Sequence, residues 1–165
     1  MYFLGLDPST KCTGFCVMNQ DKEIIERGKI SLPDLPDSDK IFYQIQQIEA
    51  LLTKYSIHHI LCEDQFGQQN PFGKINIHTV KKLSQVTGAI LSLAGRHKAP
   101  ISLIYPTSWR KIFHGSGKAT KQDTFKKVVA DYQIEGLVFT KDNDLTDAVG
   151  IAWAAVELHK EDKSS

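Results

Sequence analysis

At 165 residues and 18.5 kDa the chain has room for one domain with a real core and too little length for two large lobes. Its 41% apolar and 24% charged content is that of an ordinary globular protein, and a net charge of +1 confines any nucleic-acid surface to a local patch. Three cysteines without a CxxC pair give neither a disulfide framework nor a zinc site, no apolar run reaches membrane length, and no basic region precedes the first apolar run, so a cytosolic protein without signal peptide or membrane span is expected.

The opening run, Tyr2 to Leu6, ends abruptly at Asp7-Pro8 and reads as a buried central strand with a carboxylate at its carboxyl end. That end is where open α/β sheets bind ligands. Thr13 to Met18 reads as a second strand and Glu23 to Ile30 as a third. The turn Asn19-Gln20-Asp21-Lys22 between them makes an antiparallel meander. After a Pro- and Asp-rich loop, Ser38 or Asp39 is a plausible helix cap. Ile41, Ile45, Ile48 and Leu52 then repeat at helical spacing. His58 to Cys62 is another short strand that runs straight into Glu63 and Asp64. A strand, a crossover helix and a strand predict parallel pairing, which brings Asp7 and Glu63 to one sheet edge.

A loop rich in Gly, Gln and Asn (66–73) leads to a helix over Ile75 to Gly95 with a broad apolar stripe. Ile101 to Tyr105 reads as a fifth strand closed by Pro106, and Thr107 as the cap of a short turn through Trp109. Thr120 to Tyr132 reads as a helix, and a final one starts near Asp142 or Asn143 and reaches about Lys160. One domain over 1–160 with a polar tail at 161–165 is the expected organisation.

In that last helix Asp144 and Asp147 are three residues apart and share a face of its first turn. First-turn acids often serve only the helix dipole. This helix continues as Ala148, Val149, Ile151, Ala152, Ala154 and Ala155, however, so it must lie on the sheet and carry its acids to the sheet edge. Four carboxylates, Asp7, Glu63, Asp144 and Asp147, can then converge. Crowded like charges require bound cations or retained protons. Oxygen-only donors suit Mg²⁺ or Mn²⁺, and two such ions about 4 Å apart can hydrolyse a phosphodiester.

Gly5-Leu6-Asp7-Pro8-Ser9 with Thr13-Gly14, then Cys62-Glu63-Asp64-Gln65-Phe66, then Asp144-Leu145-Thr146-Asp147-Ala148 resemble the RuvC-type Holliday junction resolvases over nearly the whole chain. The resemblance implies an α/β, RNase H-like fold: a central five-stranded mixed sheet, three antiparallel strands then two parallel, flanked by helices. It implies that Asp7, Glu63, Asp144 and Asp147 are catalytic and hold Mg²⁺, with Mn²⁺ substituting, two ions per site. It implies that Phe66 stacks at the junction centre. Arg110, Lys111, Lys118 and Lys121 belong to a basic run in which Asp123 is the sole acid, and they are the expected DNA-binding residues beside Phe66, with Arg110 and Lys121 at basic positions of the family. Asp64, pointing to the opposite sheet face from Glu63, is a neighbour rather than a ligand.

The expected activity is therefore a structure-selective endodeoxyribonuclease that resolves branched four-way DNA by paired nicks. The expected partners are branched DNA and a second copy of the chain, with no small-molecule cofactor. The homodimer would pair through Val80, Leu83, Ile90 and Leu93, extended by Ile77, Val86 and Ala89. Alternatives are a related RNase H-like nuclease acting on branched DNA or on RNA, and a junction-binding module without catalysis. An actin-like or sugar-kinase ATPase fits less well, for it needs a second large lobe.

Overall fold

A computed structural model describes residues 1–64 and 76–164. Strand β1 (Tyr2–Pro8) pairs antiparallel with β2 (Cys12–Asn19), setting Leu6 opposite Phe15 and Asp7 opposite Gly14. β3 (Ile24–Ser31) adds antiparallel to β2 and forms one edge. On the other side of β1, β4 (Ile57–Glu63) and β5 (Ile101–Ile104) run parallel, giving the order β3-β2-β1-β4-β5. Helix α1 (Asp37–Lys54) carries the chain from β3 across to β4, and α2 (Ile77–Arg96) lies between β4 and β5. Three further helices follow: α3 (Pro106–His114), α4 (Lys121–Asp131) and α5 (Phe139–Ser164). This is the expected mixed sheet, three strands antiparallel and two parallel.

Alternation along the strands divides the interior into two cores. Leu4, Leu6, Val17, Ile60 and Cys62 face α1 and α2, where Ile48, Leu51, Val86, Ile90 and Leu93 cover them. Phe3, Cys16, Met18 and Leu61 face the other way, against Trp109, Phe113, Val128 and the alanine-rich side of α5. Period-two burial in strands and period-3.6 burial in helices produce this division without further instruction. Central strand β1 is buried on both faces, which is why its sequence shows no polar alternation before Asp7.

Two glycines set how closely α5 can lie on the sheet. A Cβ at Gly5 would collide with the backbone of Ala148 and Ala152, and one at Gly14 with the carbonyl of Asp144. With glycine at both positions and alanine opposite, the helix backbone approaches the strands directly. Because Gly14 is the register partner of Asp7, the same contact sets the backbone of Asp144 beside that carboxylate.

Several boundaries differ from the sequence reading. Helix α1 begins at Asp37 after Pro36, so neither Ser38 nor Asp39 caps it, and Asp37 and Asp39 lie in its first turn. Pro106 opens α3 rather than merely closing β5: proline at the first helical position loses no hydrogen bond, and the helix continues through Trp109 to His114. Helix α5 starts at Phe139, where the Asp142 carboxylate accepts from the Val138 backbone N–H, and it runs on to Ser164 through most of the expected tail. Asp144 and Asp147 are therefore more than a turn inside the helix, not in its first turn. A favourable dipole interaction, confined to that turn, does not account for them. The stripe of α2 also divides: Val86, Ile90 and Leu93 are buried in the core, while Ile77 is exposed and Val80, Leu83 and Ala89 are half-buried.

Candidate active site

Parallel register puts Leu6 opposite Cys62, so Asp7 and Glu63 leave β1 and β4 side by side at the carboxyl edge of the sheet. Both are fully buried or nearly so, as is Asp147, which descends onto the same edge from α5. Asp144, one turn earlier on the same helix face, is partly exposed. The four acids predicted from sequence thus share one locality.

Their surroundings explain how they coexist. Lys121, the first residue of α4, extends its ammonium into the group: Nζ is 3.1 Å from Asp147 Oδ2, 3.4 Å from Asp144 Oδ1 and 3.7 Å from Asp7 Oδ2. Arg110 approaches Asp147 Oδ2 at 3.6 Å. Glu63 Oε2 accepts a hydrogen bond from the Trp109 indole N–H at 2.5 Å. Cys12 Sγ donates to Asp144 Oδ2 at 2.9 Å.

Burial, the mutual charge of the acids and the nearby cations compete here. Burial first, and then the charge of Glu63, push the Asp7 carboxyl well above the usual carboxylate range; Lys121 opposes both. Burial also raises Glu63 and Asp147, against the lowering effects of the Trp109 hydrogen bond on the first and of Lys121 and Arg110 on the second. Burial alone would lower the Lys121 ammonium, but the charges of Asp7, Asp147 and Asp144 outweigh it and hold the group protonated above its ordinary range. The Cys12 thiol is pushed up to about 12, by burial and then by its bond to Asp144, and so remains a donor.

Among the described residues no three acid, histidine or cysteine side chains are drawn to one point as a finished metal site. The donor chemistry nevertheless suits a hard cation. Among the described residues Glu63 Oε1 and Asp147 Oδ1 are buried oxygens with no hydrogen-bond partner, and buried acceptors of that kind are stabilised by a positive charge. A cation already sits among the acids in the form of the Lys121 ammonium.

Lys121 and Arg110, read from sequence as DNA-binding residues, lie against these acids, with side chains 37% and 13% exposed. Lys111 and Lys118 are exposed. Phe66 lies outside the described residues. Asp64, on the opposite face, borders a groove of about 240 Å³ between α2 and β5 whose walls include Val80, Leu83, Leu91 and Leu103. Trp109 was not anticipated as a partner of Glu63. A signal existed, since a helix that starts where a parallel neighbour of β4 ends must begin at the acid edge.

Sheet order, crossover and acid edge together define an RNase H-like fold with a carboxylate cluster at the carboxyl ends of its central strands. The sequence profile of the family described as crossover junction endodeoxyribonuclease RuvC matches residues 3–155. The RuvC proteins of Neisseria meningitidis serogroup A and Dictyoglomus thermophilum are similar to the chain. The first is 30% identical over 153 residues, covering 90% of this chain and 81% of that protein. The second is 26% identical over 159 residues, covering 92% and 93%. Among solved structures, Thermus thermophilus RuvC superposes with a TM-score of 0.78 at 18% identity, covering 98% of this chain and 97% of that one. The same protein in complex with a Holliday junction substrate gives 0.77 at 17% identity, covering 97% and 96%.

The chain belongs to the RuvC family of crossover junction endodeoxyribonucleases. Members of this family are hydrolases of DNA and depend on a metal. No helix among the described residues is long and apolar enough to cross a membrane.

Proposed function

We propose that the acid edge of this chain cuts four-way DNA junctions with Asp7, Glu63, Asp144 and Asp147 as the metal-binding acids. The observation that carries this reading is the meeting of four carboxylates from β1, β4 and α5 with buried oxygens, on Glu63 and Asp147, that make no hydrogen bond among the described residues. These four acids would hold Mg²⁺, with Mn²⁺ as a substitute and two ions per site, which when bound would supply activation of the attacking water and stabilisation of the leaving oxygen.

The chain's own residues prepare the site for that chemistry. Trp109 fixes the Glu63 carboxylate by holding Oε2, so Oε1 is presented in one orientation. Gly5 and Gly14 let α5 come close enough for Asp144 and Asp147 to join Asp7. Cys12 turns the Asp144 carboxylate through its other oxygen from the one facing Lys121. Arg110, placed between the Trp109 ring at 4.9 Å and Asp147, carries a permanent charge at the edge where phosphate must pass. Lys111 and Lys118 are exposed and suit backbone phosphates, with Phe66 as the stacking residue at the junction centre.

Resolution of a four-way junction requires two strands of like polarity to be cut at symmetry-related points, and a twofold homodimer presents two acid edges in that relation. The exposed Ile77 and Leu91 and the half-buried Val80 and Leu83 on α2 supply an apolar surface suited to the second copy. Incubating the protein with an end-labelled four-way junction and Mg²⁺ tests the proposal. Paired, symmetrically placed nicks are expected, and a junction that is bound yet uncut under Mg²⁺ and Mn²⁺ alike would leave the chain a binding module.

A further inference from the structure

We propose that Lys121 is a resident counter-cation of the acid cluster and that a divalent ion occupies the site only by displacing it. This rests on the reading of Asp7, Asp144 and Asp147 as metal-binding acids and adds a competitor for them within the chain.

The ammonium and a divalent ion would draw on the same carboxylate oxygens. The ammonium is within 4 Å of carboxylates from β1 and α5, and it also reaches Asn143 Oδ1 at 3.4 Å. A hard divalent ion bonds carboxylate oxygen at roughly 2.0–2.1 Å for Mg²⁺, so an ion taking Asp147 Oδ2 or Asp144 Oδ1 would compete for oxygens that the ammonium now contacts. Two positive charges drawing on the same oxygens inside a half-closed edge repel strongly. One of them must leave.

Lys121 is built to be the one that leaves. Its backbone is fixed, because Thr120 and Asp123 close a capping box around the start of α4: the Thr120 hydroxyl accepts from the Asp123 N–H and the Asp123 carboxylate accepts from the Thr120 N–H. Its side chain is a flexible four-carbon stem, 37% exposed, that can rotate towards solvent without moving the helix. Arg110 differs: its side chain is 13% exposed, lies over the Trp109 ring and touches only Asp147 among the four acids, at 3.6 Å. Lysine occupancy thus keeps the acids neutralised before metal arrives, and the work of expelling the ammonium lowers the site's affinity for metal.

Calorimetric titration of Mn²⁺ into the DNA-free protein reads this directly. Lys121→Met should bind Mn²⁺ on the order of tenfold more tightly than wild type, the size expected for removing charge-assisted contacts that compete with the ion. Lys121→Arg, which keeps a cation there, should bind no more tightly than wild type. Unchanged or weaker binding by a folded Lys121→Met protein overturns the proposal while leaving the metal reading intact. Wild-type affinity in Asp147→Asn, by contrast, defeats the metal reading itself. A second measurement needs no substitution: the Lys121 Cε methylene resonance of the wild-type protein should shift in step with Mg²⁺ occupancy, and a resonance unmoved at saturation counts against displacement.

Discussion

The two faces of the sheet are covered by different means. On one, α1 and α2 are held by large aliphatic side chains, with Ile48, Leu51, Ile90 and Leu93 meeting Leu4, Leu6, Val17 and Ile60. On the other, α5 is held by small ones: Gly5 and Gly14 under Ala148, Ala152 and the backbone of Asp144. Aliphatic packing buries more apolar area for each residue and tolerates repacking. Glycine–alanine packing buries less, but it fixes the helix axis against the strand backbone, where a shift of one ångström is felt at once. The four acids of the candidate site are on the second face. Precision of placement, more than burial, is what that face supplies.

Substitutions on the two faces should separate these contributions. Gly14→Ala is expected to have the largest effect on cutting. Its Cβ must push the Asp144 carbonyl away, and displacing a reacting group by about 1 Å can cost on the order of 10²-fold in rate. Single-turnover nicking of a four-way junction measures it, with circular dichroism to verify the fold. Trp109→Phe comes next: the ring volume is largely kept but Glu63 Oε2 loses its donor, so metal-dependent cutting should fall by roughly 10–100-fold. Wild-type rates in that protein would mean the indole serves packing alone.

Ile48→Ala should have the least effect on cutting. It leaves a cavity under α1, on the other face of the sheet from α5, and should lower the unfolding free energy by roughly 2–5 kcal/mol. Urea denaturation reads the loss. Nicking by the folded fraction should stay near the wild-type rate, and a loss as large as that of Gly14→Ala would erase the distinction between the faces.

Much of this division is legible in the sequence. The acids at the ends of β1 and β4 follow from two short apolar runs that each stop at a carboxylate, and the crossover helix fixes their parallel neighbourhood. The close approach of α5 is visible in its run of alanines, although which strand positions it touches depends on register. The start of α5 was not legible: Val138, Phe139 and Thr140 are poor helix formers, and tertiary packing together with the Asp142 cap overrides their preference. Nor was the inward turn of Lys121. A cluster of lysines reads as a solvated or phosphate-facing surface, and only the three-dimensional position of the α4 N-terminus brings one of them to the acids. Trp109 and Glu63 are separated by 45 residues of chain between them, so their bond is a consequence of β5 lying beside β4.

On the proposed reading, the carboxylates at the sheet edge, rather than the fold around them, perform the cutting. Replacing Asp7 by asparagine preserves the shape of the side chain and removes a hard anionic ligand, so it tests that claim with little disturbance elsewhere. Junction binding and nicking should be measured together on the Asp7→Asn protein in Mg²⁺. The expected result is binding equal to or tighter than wild type, as repulsion towards phosphate is relieved, with paired nicks abolished; nicking at the wild-type rate would contradict the account.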